Sequence, residues 1–178
     1  MNDAVEASCI IGAMNYANWY ERISSRYSND GSRRALSMID RALVYFYAGS
    51  YIVLLVFLAV TDVSRLPRAI MVPALTFAFV TVVRAFINKP RPYESWPIKP
   101  VIAKNTQGKS MPSRHMSSAV VISCAIAWVN PALGCVFFLG CAVIAFTRIV
   151  GGVHYPSDIA VATIVALLFG IVGFFLIP

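Results

Sequence analysis

Charge is what this sequence has least of. Only 13% of its 178 residues are Asp, Glu, Lys or Arg, and acids are the scarcer sign, 8 against 15 bases. A soluble domain averages about 25% charged residues, so a water-soluble globule around one large core is excluded. Cysteine is sparse too. Cys9, Cys124, Cys135 and Cys141 form no C-x-x-C pair, and the last three fall inside apolar runs. They read as packing residues, not as a disulfide framework or a zinc knuckle. There is no H-E-x-x-H and no Asp/Glu or Cys/His cluster, so neither a metal site nor another cofactor is expected. No Pro/Gly/Ser-rich linker divides the chain, and residues 1–178 read as a single domain. No nucleic-acid partner is expected.

What the chain has in quantity is apolar sequence, 58% of its residues. Runs at Leu43 to Val60, Ala69 to Asn88, about Ser113 to Val129, Leu133 to Thr147 and Ser157 to Ile177 approach the ~20 residues that cross a ~30 Å hydrocarbon core. The expected fold is all-α, a polytopic membrane bundle of five transmembrane helices. Asn130-Pro131 is a tight turn, making the third and fourth helices a hairpin. Residues 1–41 carry Arg22, Arg26, Arg33, Arg34 and Arg41, with an apolar piece from Ala7 to Ala13 too short to cross. That segment reads as an amphipathic surface helix or, on composition alone, as a basic tail. It is not a signal peptide, because its charges follow the apolar piece.

Five crossings put residues 89–112 and 148–156 on one side of the membrane, and the unexpected charge gathers there. In "RAFINKPRP", Arg84 lies inside an apolar run and Arg91 follows Pro90. An arginine so placed faces the protein interior or a watery cavity, or snorkels to the interface. In "MPSRHMSS", Ser113 is positioned to cap a helix whose free N–H groups suit an anion. His115, one turn in, is either part of that site or a satisfied buried histidine. In "TRIVGGVHYPSD", Arg148 closes one helix, Gly151-Gly152 turn the backbone, and His154 precedes a helix that holds Asp158 in its first turn. Asp158 would suit the helix start electrostatically. It would equally bind Nδ1–H of His154 and free Nε2 as a nucleophile or base. Three arginines, a helix start, a hydroxyl and two histidines on one side of the bundle describe a phosphate pocket, since guanidinium forks match phosphate oxygens.

The order and spacing of these residues resemble the type 2 phosphatidic acid phosphatase (PAP2) superfamily, with signature K-x6-R-P, P-S-G-H and S-R-x5-H-x3-D. Here the three read Arg84-x6-Arg91-Pro92, Pro112-Ser113-Arg114-His115 and Thr147-Arg148-x5-His154-x3-Asp158, spanning residues 84–158. Arg84 replaces lysine and Thr147 replaces serine. Arg114 replaces glycine, which would let the backbone N–H approach the phosphate, so its side chain is expected to point elsewhere, toward a lipid headgroup. The resemblance implies His154 as nucleophile, Asp158 orienting it, and His115 as acid and then base. Arg84, Arg91, Arg148, Ser113 and the Arg114 N–H would hold the phosphoryl oxygens. It implies an integral membrane phosphatase acting on a lipid phosphomonoester or diphosphate within the bilayer. A catalytically silent lipid-phosphate binder and a vanadate-dependent haloperoxidase relative are the rival readings.

The side of the cell membrane follows from charge. With five crossings the N-terminal arginines share a side with Lys89, Lys99, Lys104 and Lys109, against only Arg65 and Arg68 opposite. The positive-inside rule then places the catalytic loops in the cytoplasm.

Overall fold

The computed structural model describes residues 16–176, all of whose regular structure is helical. Helix α1 covers residues 16–24 and is followed by a 3-10 turn, Ser25–Tyr27. Asn29 then caps α2, Asp30–Thr61, accepting from Ser32 N at 2.7 Å. The first span was expected from Leu43, with residues up to 41 in a separate surface helix. Instead α2 runs unbroken through that boundary, because no proline or glycine interrupts residues 32–42 and the stop signal before them is Asn29. At ~1.5 Å per residue its 32 residues exceed the hydrocarbon thickness. The surplus places Arg33, Arg34 and Arg41 at one end. The Ala7 to Ala13 piece lies outside the described residues.

The other helices start and stop close to the expected positions. They are α3, Leu66–Ile87; the short α4, Pro92–Ser95; α5, Arg114–Val129; α6, Pro131–Val150; and α7, Pro156–Ile171, which continues as a π turn over Val172–Leu176. Asn88 ends α3 in the left-handed region at φ 41°, and Pro90 forbids a restart. Prolines at 131 and 156 open α6 and α7, where their missing N–H groups cost nothing. The Asn130-Pro131 hairpin is present, its asparagine accepting from Leu133 N at 3.0 Å.

Among the described residues, four helical stretches are long and apolar enough to cross a bilayer, and α5 is a shorter apolar helix. α5 sits at the centre, packed on α6, α7, α3 and α2. Its small residues (Ser117, Ala119, Ser123, Cys124, Ala125) are buried, and small side chains let helices approach closely where lipid provides no hydrophobic drive. Gly134 of α6 shows the limit: a Cβ there would lie 2.3 Å from Ala127 Cβ of α5. Large apolar side chains such as Val60, Phe86, Leu139 and Leu168 face outward, as a lipid-facing surface requires. Cys124 and Cys141 are buried free thiols, while Cys135 is exposed.

Candidate active site

The α3–α5 connection and the α6–α7 connection meet at one end of the bundle. Ser113 N donates to Asp158 O at 3.2 Å and Ile102 N to Gly151 O at 3.1 Å, while Arg91 Nη1 reaches Val153 O at 3.1 Å. Gly152, at φ 73°, lets the second loop turn beneath Tyr20. That tyrosine bridges both loops: its hydroxyl donates to Val150 O at 3.0 Å and accepts from Val101 N at 3.2 Å.

Asp158 is wholly buried and its carboxylate is fully used. One oxygen pairs with Lys89 Nζ at 2.8 Å. The other accepts from Ser110 Oγ at 2.5 Å and from Tyr155 N at 3.0 Å. The direct carboxylate bond expected for His154 is not formed. Nδ1 lies 3.6 Å from Oδ2, beyond hydrogen-bond reach, while Ser110 Oγ, bonded to that same oxygen, lies 3.4 Å from Nδ1. Asp158 serves the helix start and the histidine together. His154 is 2% exposed. Burial above all, helped by Arg91 and Arg148, pushes its pKa down to about 4 against the pull of Asp158. With Nδ1 turned to Ser110 and Asp158, Nε2 makes no hydrogen bond among the described residues.

The three signature arginines are buried, and Arg91 and Arg148 lie within electrostatic reach of this histidine. Arg84 donates to Pro112 O at 2.7 Å, so it turns inward and does not snorkel. Arg91 is held by Gly108 O at 3.2 Å as well as by Val153 O, and its own N–H by Glu94 at 2.6 Å. Arg148 Nε lies 2.9 Å from Asp40 Oδ1. Ser113 occupies the N-cap of α5, but its buried hydroxyl bonds neither the helix nor any other group among the described residues. The expected cap is therefore absent, and an unpartnered hydroxyl remains beside the arginines. His115 stands in the first turn of α5, within Coulombic reach of Arg148, Lys104 and His154. Arg114 contributes its N–H to the helix start while its exposed side chain turns away, the guanidinium 5.9 Å from the Phe77 ring centre.

Asp158 is paired with Lys89 and Asp40 with Arg148, while Arg84 and Arg91 are bonded only to backbone carbonyls among the described residues. Such an excess of buried positive charge is stable only where an anion completes it. Four contributors escaped the motif reading: Asp40, Lys89, Lys104 and Ser110. Lys89 and Lys104 entered it only as loop charges. Lys104 is half-buried, and burial followed by Arg148 and Arg91 pushes its pKa down to about 8. Asp40, an acid at the start of an apolar helix, was the one with a usable signal; Ser110 had none.

The model of the PAP2 superfamily matches residues 65–177. The chain belongs to the PAP2 superfamily. Among solved structures, that of Aquifex aeolicus LpxE aligns with 88% of this chain and 92% of its own, at TM-score 0.70 and 21% identity. A transmembrane PAP2 type phosphatidylglycerolphosphate phosphatase from Bacillus subtilis aligns with 87% and 90% at TM-score 0.43 and 15% identity. No curated protein matches in sequence. At such identities the likeness to LpxE is one of fold, and the family match carries the class of chemistry: this PAP2 protein is a membrane lipid phosphatase, a phosphoric ester hydrolase.

Proposed function

We propose that this PAP2 protein cleaves a lipid phosphomonoester or diphosphate through a phosphohistidine at His154. The observation that carries the reading is a buried histidine with Nδ1 on the Ser110 and Asp158 side and Arg91 and Arg148 in electrostatic reach, at the loop end where the buried Ser113 hydroxyl has no partner among the described residues. Nε2 attacks phosphorus and the bond to the lipid oxygen breaks. His115 gives that oxygen its proton, then takes one from the water that releases inorganic phosphate. Asp158 and Ser110 hold the Nδ1 edge. Arg84, Arg91 and Arg148, with Ser113 and the Arg114 N–H, bind the equatorial oxygens, where preorganised donors contribute most.

A groove of about 760 Å³ between α2, α3 and α5 suits the lipid part of the substrate. Tyr51, Pro73, Phe77 and Ile122 line it, and Arg114 and His115 stand in its wall. A chain lying there would bring its ester oxygen to His115 without leaving the bilayer, and the Arg114 guanidinium would meet the headgroup. Arg114 thus fits an active site despite replacing the family glycine. We further propose that the loops face the cytoplasm, because Arg22, Arg26, Lys99 and Lys109 remain on their side even with Lys89 and Lys104 assigned to the site. A polyprenyl phospho-sugar phosphate made in the cytosol is then a candidate substrate.

The test is phosphate release by the purified protein in EDTA across a panel of lipid phosphates, with acid-labile transfer of labelled phosphate to the wild type but not to His154→Ala. Turnover by His154→Ala at the wild-type rate would remove the covalent step.

A further inference from the structure

Asp40 belongs to none of the signature motifs and lies upstream of the residues that match the PAP2 model. It is nonetheless a buried carboxylate in an apolar helix, 7% exposed. Acids in such helices are costly, and they persist where they have a partner and a task. Its partners are both on α6. Oδ1 lies 2.9 Å from Arg148 Nε and accepts from Thr147 Oγ1 at 3.1 Å. Nε is close but out of line for a hydrogen bond, so the contact with Arg148 is an ion pair, beside which the single Thr147 hydroxyl proton is shared between Oδ1 and Ile144 O at 3.0 Å. Arg148 itself is 3% exposed, and its Nη groups have no hydrogen-bond partner among the described residues. A guanidinium has a fixed fork. An acid on its Nε side therefore leaves the Nη edge to serve an anion.

We infer that Asp40 is a positioning residue of the active site, holding Arg148 so that its Nη edge faces the phosphoryl group. The inference rests on the phosphoryl-binding role proposed for Arg148. It also ties α2 to the chemistry, since α2 supplies the acid and α6 the cation. Thr147, which stands where the signature has serine, keeps the hydroxyl this arrangement uses.

Vanadate binding and lipid-phosphate turnover are to be measured on the full chain in neutral detergent for wild type, Asp40→Asn, Asp40→Glu, Arg148→Ala and the double variant Asp40→Asn/Arg148→Ala. Asp40→Asn keeps size and the Thr147 bond, and should weaken vanadate by about tenfold, the scale of coupling within one ion-pair network. Asp40→Glu, which keeps the charge, should lose less. In the Arg148→Ala background Asp40→Asn should add no further loss, a result a merely structural role would not produce. Wild-type vanadate affinity in Asp40→Asn, or losses that multiply in the double variant, would overturn the inference. Should wild type bind vanadate with this pattern yet release phosphate from no lipid, Asp40 keeps its role and the proposed reaction fails. Normal lipid-phosphate turnover in wild type and Asp40→Asn alike would instead leave the reaction standing and remove Asp40 from it.

Discussion

His154 and His115 are the chain's two histidines, which makes each directly readable. Replacing either by alanine should lower turnover by ~10² or more, the scale of lost acid–base or nucleophilic assistance, with an unchanged elution profile in detergent. Because burial holds the His154 pKa near 4, its ring should stay neutral far below the ordinary histidine value of about 6.5. In 15N-histidine spectra of the free protein its signals should move only as pH approaches 4. The sign for stability follows. Between about 6.5 and 4 the unfolded chain takes up a proton that the folded site refuses, so folding weakens as pH falls through that window. Lys104 bears on anion binding. With its pKa pushed down to about 8, its charge fades in mildly alkaline solution, so vanadate affinity should drop above that pH in wild type. Lys104→Met should bind vanadate more weakly at pH 7 and lose that alkaline step; an unchanged step would assign it to another group.

At the scale of elements, α1 and the two loops at the site end form one unit through Tyr20. Its side chain is 1% exposed, and its hydroxyl serves a carbonyl of one loop and an amide of the other. Tyr20→Phe should leave both groups unpaired at a cost of ~1–3 kcal/mol. A lowered thermal midpoint in detergent, together with a raised KM for the lipid phosphate, is the expected outcome. An unchanged midpoint would show that water replaces the hydroxyl.

For the whole molecule, the decisive measurement is the side on which the loops lie. Arg65 and Arg68 sit over the Trp128 ring, at 5.1 and 5.7 Å, at the end remote from the site, as interfacial aromatic and basic residues do. The larger basic surplus at the site end is the ground for the cytoplasmic side proposed above. A cysteine at Gln107, in a background without the native cysteines, should resist a membrane-impermeant maleimide in intact cells and react after permeabilisation. Ready labelling of intact cells would place the site outside.

Local rules in the sequence determined the helical class, the Asn130-Pro131 hairpin and the identity of the signature residues. Apolar runs of spanning length have few alternatives in a bilayer, and a spaced set of arginines and histidines is legible one residue at a time. They also set where most helices end, since Pro90, Pro131 and Pro156 act within a turn. The start of α2 was misplaced because hydropathy marks where lipid begins, whereas a helix continues into water until a cap such as Asn29 stops it. Only the tertiary structure decided how the site is wired. Ser110 on the Asp158 carboxylate beside His154, Lys89 on the far oxygen of that carboxylate, and Asp40 behind Arg148 are contacts across 48, 69 and 108 residues of chain. Such pairings depend on which faces of the helices meet, and no spacing along the chain encodes them.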